Sequence, residues 1–280
     1  MSFWSKPFLN RPNFNLDGKH MENTLACWSL STALAKQHFS SVELYTDSIG
    51  SSILCDKLQL PFDKVHVVLD TALKYVSDRM WCAGKLVAQS FAEAPYVHID
   101  NDHFQLTPFK EEFKDILGFC VAGFPESCFY HHTIKFLKNQ NFPFTQDELA
   151  DIDDITNFSA ISCGVVGFQD NKQKELYIQH AWDFLSRLQA TPEYIHYAEG
   201  NSNDFNCLVE QWMLALVAKV YDLDVVGLVK GLKRAAQTRA GIYHPYAEAK
   251  QKPSAQKFIR DLLIEKFPHY YMNFQLNTLR

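Results

Sequence analysis

Apolar residues return at three- and four-residue intervals over 21–38, where Met21, Leu25, Trp28, Leu34 and Ala35 share one face of a helix. The chain then changes period. Residues 42–47 alternate and are rich in β-formers, Ser48–Ser51 turns the chain into a short helix over 53–58 closed by Pro61, and 65–69 reads as a second strand. A helix over about 78–92, with Trp81, Leu86, Val87 and Phe91 inward, leads through Pro95 into a short buried strand over 96–100. Strands alternating with helices in this way predict an α/β fold of the doubly wound type. Farther on, 161–168 reads as a strand in which Gly164 and Gly167 mark a close approach to the backbone. Helices are expected over about 172–189, 205–221 and 254–267, the last N-capped by Ser254 and stopped by Pro268. No linker, repeat or compositional break divides the 280 residues, so a single domain is expected, with halves at about 1–110 and 111–280.

Composition narrows the class. Hydrophobic residues make up 47% and charged residues 21%, with 11 Gly and 11 Pro, which excludes disordered and low-complexity chains. The net charge of −5 and the lack of any basic run argue against nucleic acid as a partner. No run of 18 apolar residues exists and 1–15 lacks a signal-peptide core, so a cytoplasmic protein is expected. The 7 cysteines are scattered without a CxxC pair, which fits reduced, buried thiols and not a zinc cluster.

Candidate chemistry begins where the apolar strand runs into Asp100-Asn101-Asp102. On an extended chain residues i and i+2 point to one side, so the two carboxylates can converge on a divalent cation at the carboxyl end of a strand. An ordinary solvated turn is the alternative. Near the C-terminus, Pro245 argues against a helix interior, and on an extended or looped segment the spacing of His244 and Lys250 can bring both to one side. There a neutral imidazole adds a nitrogen ligand suited to Mn²⁺ and the ammonium suits a phosphate. A surface loop with an incidental histidine is the alternative.

In order and spacing these residues resemble the GT-A fold glycosyltransferases: a nucleotide-binding βαβ half, a basic residue on the helix before the acidic motif, Asp-x-Asp, then a late His-x5-Lys similar to that of the glycogenin-like retaining enzymes. The likeness runs from about Val42 to Tyr271 and looks closest to a little-characterised bacterial group. It implies a GT-A (Rossmann-like) mixed sheet flanked by helices. It also implies that Asp100 and Asp102 engage the metal (Mn²⁺ or Mg²⁺) and the donor ribose, that His244 is a third protein ligand, and that Lys250 meets the donor diphosphate. Lys85 takes the place of the basic residue on the preceding helix, and Glu210-Gln211 resembles the Glu-Gln pair of several GT-A groups. Tyr45, Thr46 and Asp47 are candidates for the nucleotide, with a plain Thr-Asp turn as the alternative. Three departures stand out. Ala247 replaces the glycine after the histidine, Gln251-Lys252 replaces Pro-Trp after the lysine, and Ser162 or Cys163 stands where many members have Asn.

The implied activity is transfer of a hexose from a nucleotide-diphosphate sugar, a UDP-sugar first, to a glycan, small-molecule or peptide acceptor. The weak lean of His-x5-Lys is toward retention. Glu210 would act as base only in an inverting enzyme, and its ordinary reading is a helix-surface carboxylate beside Trp212. A nucleotidyltransferase or metal-dependent phosphohydrolase using the same acidic pair is one alternative, and an inactive nucleotide- or carbohydrate-binding module is another. The cluster Asp147, Glu148, Asp151, Asp153 and Asp154 reads as a solvated loop, a candidate lid. The aromatic end (Phe267, Tyr270, Tyr271, Phe274) offers either a peripheral membrane contact or simple packing.

Overall fold

The computed structural model describes residues 1–9, 18–109, 112–123, 128–154, 156–190, 204–231, 233–245, 249–250 and 252–278. In chain order its strands are β1 (Ser2–Phe3), β2 (Glu43–Thr46), β3 (Lys64–Val67), β4 (Tyr96–Ile99), β5 (Phe104–Gln105), β6 (Ile116–Gly123), β7 (Ser159–Phe168), β8 (Val225–Gly227) and β9 (Ile242–Tyr243). The α-helices of more than one turn are α1 (Gly18–His38), α2 (Cys82–Phe91), α3 (Phe129–Asn139), α4 (Gln146–Asp153), α5 (Asn171–Gln189), α6 (Met213–Val220), α7 (Arg234–Arg239), α8 (Pro253–Lys266) and α9 (Pro268–Thr278), and the short helix expected over 53–58 is a π-helix over Ser52–Lys57. The mixed α/β chain divides into two compact units, one of Met1–Lys74, Ile99–Lys110 and Lys233–Arg280, the other of Tyr75–His98 and Glu111–Leu232.

In the first unit β1, β2 and β3 form a parallel sheet in that order, and β5 pairs antiparallel with β9. Helix α1 packs against β5, α8 and α9, so it is covered on more than the single face that its periodicity predicts. Residues 25–35 are all buried. Small side chains at Ala26, Ser29, Ser31, Thr32 and Ala33 let neighbours approach from every side, while Leu25, Trp28, Leu30 and Leu34 fill the core with Phe104, Ile259, Leu263 and Phe274.

The second unit is a mixed sheet of order β4-β7-β6-β8, in which β6 runs antiparallel to β7 and parallel to β8. The register shifts between Gly118 and Cys120, a local irregularity of the kind a β-bulge produces. At Gly167 the neighbours are the Tyr96 carbonyl, Phe113 and Val97, so this glycine serves strand packing inside the unit. Helices α5 and α6 cover β7, where Trp212 lies between Phe158 and Phe184 at ring distances of 6.2 and 5.6 Å.

Several local expectations are corrected. The helix expected from 78 begins at Cys82, because Asn206 ties down the preceding turn: it accepts from the Cys82 N–H at 2.9 Å and donates to the Arg79 carbonyl at 2.8 Å. The acidic segment is not a solvated loop. Thr145 and Glu148 close a capping box on α4, and Glu148 and Asp151 are buried against Arg187 and against Lys219 and Trp212. The helix expected over 205–221 is interrupted by a π-helical turn over Leu208–Trp212. Lys252, not Ser254, is the N-cap of α8, with Pro253 in the first turn where its missing N–H costs nothing. Beyond Pro268 the chain continues as α9.

Among the described residues no helix is long and apolar enough to cross a membrane. Phe267 and Phe274 belong to the core of the first unit and Tyr270 and Tyr271 pack against it.

Candidate functional site

The two late motif residues and the acidic motif meet in the first unit. Pairing of β5 with β9 aligns Phe104 with Tyr243 and Gln105 with Ile242. Asp102 therefore sits two residues before the ladder and His244 one residue after it. The ladder is continued by the Leu106 N–H, which donates to the Gly241 carbonyl at 2.9 Å. Gly241 has φ +67°, and a Cβ there would collide with Thr107, so only glycine fits where β9 begins.

The acidic motif itself is a turn. The His103 N–H donates to the Asp100 carbonyl at 3.1 Å, and Asn101 and Asp102 form the corner. Strand alternation thus does not apply to Asp100 and Asp102, and the i, i+2 argument for their convergence fails on that ground. Ser31 of α1 holds the turn from behind, its hydroxyl 2.8 Å from the His103 carbonyl and 3.2 Å from that of Asp100.

Around the Asp102 carboxylate the arrangement is dense. Lys250 Nζ donates to Oδ2 at 3.0 Å, and His244 Nδ1 lies 3.6 Å from Oδ1 and 3.0 Å from the Asp102 carbonyl. A carbonyl only accepts, so this bond places the proton of a neutral His244 on Nδ1 and the ring lone pair on Nε2. The His244 N–H donates to Gln237 of α7 at 2.9 Å, and Gln256 of α8 donates to the Lys250 carbonyl. The Asp102 charge raises the pKa of Lys250. Burial, with the Asp102 charge in second place, pushes the Cys27 thiol up to about 12. Burial, followed by the proximity of His244, lowers His103 to about 3, so that ring is neutral.

Among the described residues no group of three His, Cys, Asp or Glu side chains is gathered to hold a metal ion. The expected trio of Asp100, Asp102 and His244 is thus not a preformed protein cage. Asp102 and His244 supply two donors, one carboxylate and one imidazole, but the ring nitrogen that faces Asp102 is Nδ1, the proton carrier, so Nε2 and the carboxylate converge on a cation only after the ring or the carboxylate turns. That set fits a divalent cation whose remaining ligands come from phosphate and water. Of the His-x5-Lys segment, residues 246–248, including Ala247, lie outside the described residues, as does Gln251.

The nucleotide candidates are occupied structurally. Asp47 accepts from the Gly50 N–H, the Ser5 N–H and the Ser5 hydroxyl, each at 2.7 Å, which makes it the cap of a short helical turn. Thr46 donates to the Phe3 carbonyl at 2.7 Å, and the Tyr45 ring stacks on His66 at 4.4 Å.

Lys85, Glu210 and Gln211 belong to the second unit. Lys85 Nζ is 2.6 Å from Glu210 Oε1 and 2.9 Å from the Cys163 carbonyl. Both side chains are buried, at 6% and 2% exposure, so Glu210 is not a helix-surface carboxylate. The π-helical turn that carries Glu210 packs against β7, which turns this acid inward, and such turns are frequent at functional positions. Gln211 accepts from the Tyr130 hydroxyl at 2.7 Å and donates toward Cys207 Sγ at 3.6 Å.

Sequence reasoning missed Ser31, His103, Gln237, Gln256 and Tyr130. Only His103 had a signal, its place directly after the acidic motif. No curated protein and no solved structure matches the chain. The model of the Family of unknown function (DUF6734) matches residues 1–276, and the chain belongs to that family.

Proposed function

We propose that this family member is a metal-dependent glycosyltransferase of the GT-A type that takes a nucleotide-diphosphate sugar, a UDP-sugar first, and passes the hexose to a glycan, small-molecule or peptide acceptor. One observation carries the reading: across 142 and 148 residues of sequence, His244 and Lys250 both close on Asp102. A chance Asp-x-Asp string and a chance His-x5-Lys string have no reason to share a carboxylate. The parallel β1-β2-β3 sheet and the mixed β4-β7-β6-β8 sheet are compatible with the mixed sheet that the resemblance implies.

A divalent cation (Mn²⁺ or Mg²⁺), when bound, would neutralise charge on a diphosphate leaving group. The chain's own residues would do the rest. Asp102 presents carboxylate oxygens, His244 presents Nε2 with its ring held by the Asp102 carbonyl, and Lys250 donates to phosphate oxygen. Asp100 adds negative charge close enough to Lys250 to raise its pKa, next in effect to the nearer Asp102 and Cys27, and a place beside the donor ribose follows from the family resemblance. Glu210 suits a positioning role better than proton abstraction, because Lys85 Nζ already engages its Oε1 at 2.6 Å and only 2% of its side chain is exposed. That favours a retaining outcome, in which the leaving phosphate takes the acceptor proton.

The test is thermal unfolding with UDP, GDP, CMP and ADP, each with and without Mn²⁺. A ligand at about a hundred times its Kd adds ~2.7 kcal/mol. The expected result is a metal-dependent shift with one nucleoside diphosphate that disappears in Asp102→Ala, followed by sugar transfer with that donor. Stabilisation that survives Asp102→Ala, or release of pyrophosphate or inorganic phosphate in place of a glycoside, refutes the assignment.

A further inference from the structure

The Asp102 carboxylate already holds a cation, and that cation belongs to the protein. Lys250 Nζ sits 3.0 Å from Oδ2, while His244 approaches Oδ1 at 3.6 Å. An ammonium so placed offsets the charge that a divalent cation would use. The two positive charges repel at that range, so the carboxylate serves either one better than both together.

Three features make the lysine exchangeable. Its side chain is 30% exposed against 12% for Asp102, so it has a path into water. Its carbonyl is bound by Gln256 of α8, which confines displacement to the flexible four-carbon stem. Its partner bond is a single point contact, and a phosphate oxygen offers the ammonium an equivalent anion.

We propose that Lys250 is a resident counter-ion of Asp102 that a diphosphate draws off, so that divalent cation and nucleoside diphosphate enter this site as a pair and a cation alone is held weakly. The proposal rests on the donor-site reading above and adds the order of events to it. The exchange is balanced in charge: the ammonium leaves a carboxylate for a phosphate, and the vacated carboxylate accepts the cation that the diphosphate brings. A free cation arriving alone must displace the ammonium into water with no anion to receive it. By linkage, the diphosphate then strengthens cation binding by the same factor as the cation strengthens diphosphate binding.

The experiment measures Mn²⁺ binding by electron paramagnetic resonance and UDP binding by calorimetry, each alone and in the presence of the other. The proteins are wild type, Lys250→Met and Lys250→Arg, with far-UV circular dichroism confirming that each is folded. In wild type, UDP is expected to strengthen Mn²⁺ binding by about tenfold or more. Lys250→Met is expected to bind Mn²⁺ alone about tenfold more tightly than wild type and to lose most of the coupling to UDP. Lys250→Arg keeps the charge and should hold Mn²⁺ alone as weakly as wild type, whatever it does to UDP. If wild type takes up Mn²⁺ and UDP together but Lys250→Met binds Mn²⁺ alone no more tightly, the counter-ion proposal is overturned and the donor-site reading stands. If wild type binds neither, alone or together, both fall.

Discussion

Lys85→Met isolates what a buried charge pair is worth in this fold. The ammonium and the Glu210 carboxylate are 2.6 Å apart, with 6% and 2% of their side chains exposed. At an effective dielectric constant of about 20 their attraction is roughly 6 kcal/mol, and burying each ion costs several kcal/mol, so the intact pair is close to neutral for stability. Methionine matches the length of the lysine stem but leaves the carboxylate facing an apolar neighbour and the Cys163 carbonyl without its donor at 2.9 Å. The expected cost is about 3–5 kcal/mol, or a fall in Tm of roughly 10 °C. Urea denaturation monitored by tryptophan fluorescence reads it as a lower midpoint at unchanged slope. The double variant Lys85→Met with Glu210→Leu removes both charges and should recover more than half of the loss, since an apolar pair of similar volume replaces the ions. A loss under about 1 kcal/mol, the range of exposed pairs, together with an additive double variant, would falsify the claim that these charges are desolvated and coupled.

Gly241→Ala forces an alanine to φ +67° against Thr107; a loss of about 1–3 kcal/mol is expected, with weakened Mn²⁺–UDP binding through displaced His244, and an unchanged urea midpoint would contradict the strain. Thr145→Ala breaks the capping box of α4 and should cost about 1 kcal/mol; a fully solvated acidic loop would show no change. Burial holds the Cys82 thiol far above its ordinary value, with Glu210 adding to the shift. Such a group stabilises the fold below the unfolded pKa near 9, and the contribution is lost as pH rises beyond it. The urea midpoint should therefore fall above that pH, and Cys82→Ala should remove up to about 1.4 kcal/mol per pH unit of the slope. An alkaline slope identical in the variant argues against a neutral, buried Cys82.

What the sequence disclosed depended on whether the signal was local. The helix at 18–38, the strands β2, β4 and β7 and the helix α5 follow from apolar period and turn residues, and the order of strands and helices is enough for the α/β class. Boundaries failed where a distant side chain decides them: Asn206 sets the start of α2, and no feature of residues 78–82 encodes that. The acidic segment misled for the same reason, because Arg187 and Lys219, which neutralise Glu148 and Asp151, lie 39 and 68 residues away. The Thr145-x-x-Glu148 capping box was nonetheless present in the local sequence. At the site, residue types and spacing singled out Asp102, His244 and Lys250, yet the assumed geometry of an extended acidic motif was wrong. The Ser31 hydroxyl at the Asp100 and His103 carbonyls accompanies a turn instead, a contact across 69 and 72 residues that periodicity cannot express.

The same chemical pair, a lysine against a carboxylate, occurs at both candidate positions, and solvent access separates their roles. Lys85 and Glu210 are enclosed, and parting them would strand an ion in apolar surroundings at a cost of several kcal/mol. A group held in that way fixes geometry and does not travel. Lys250 is partly open to water and its bond to Asp102 is 3.0 Å long. Burial still opposes its charge while Asp102 favours it, so the ammonium leaves the carboxylate only when a competing anion replaces what Asp102 supplies. On the proposed reading, the exposure of each pair, more than its distance, makes Lys250 the candidate for ligand exchange and leaves Lys85 to hold Glu210 in place.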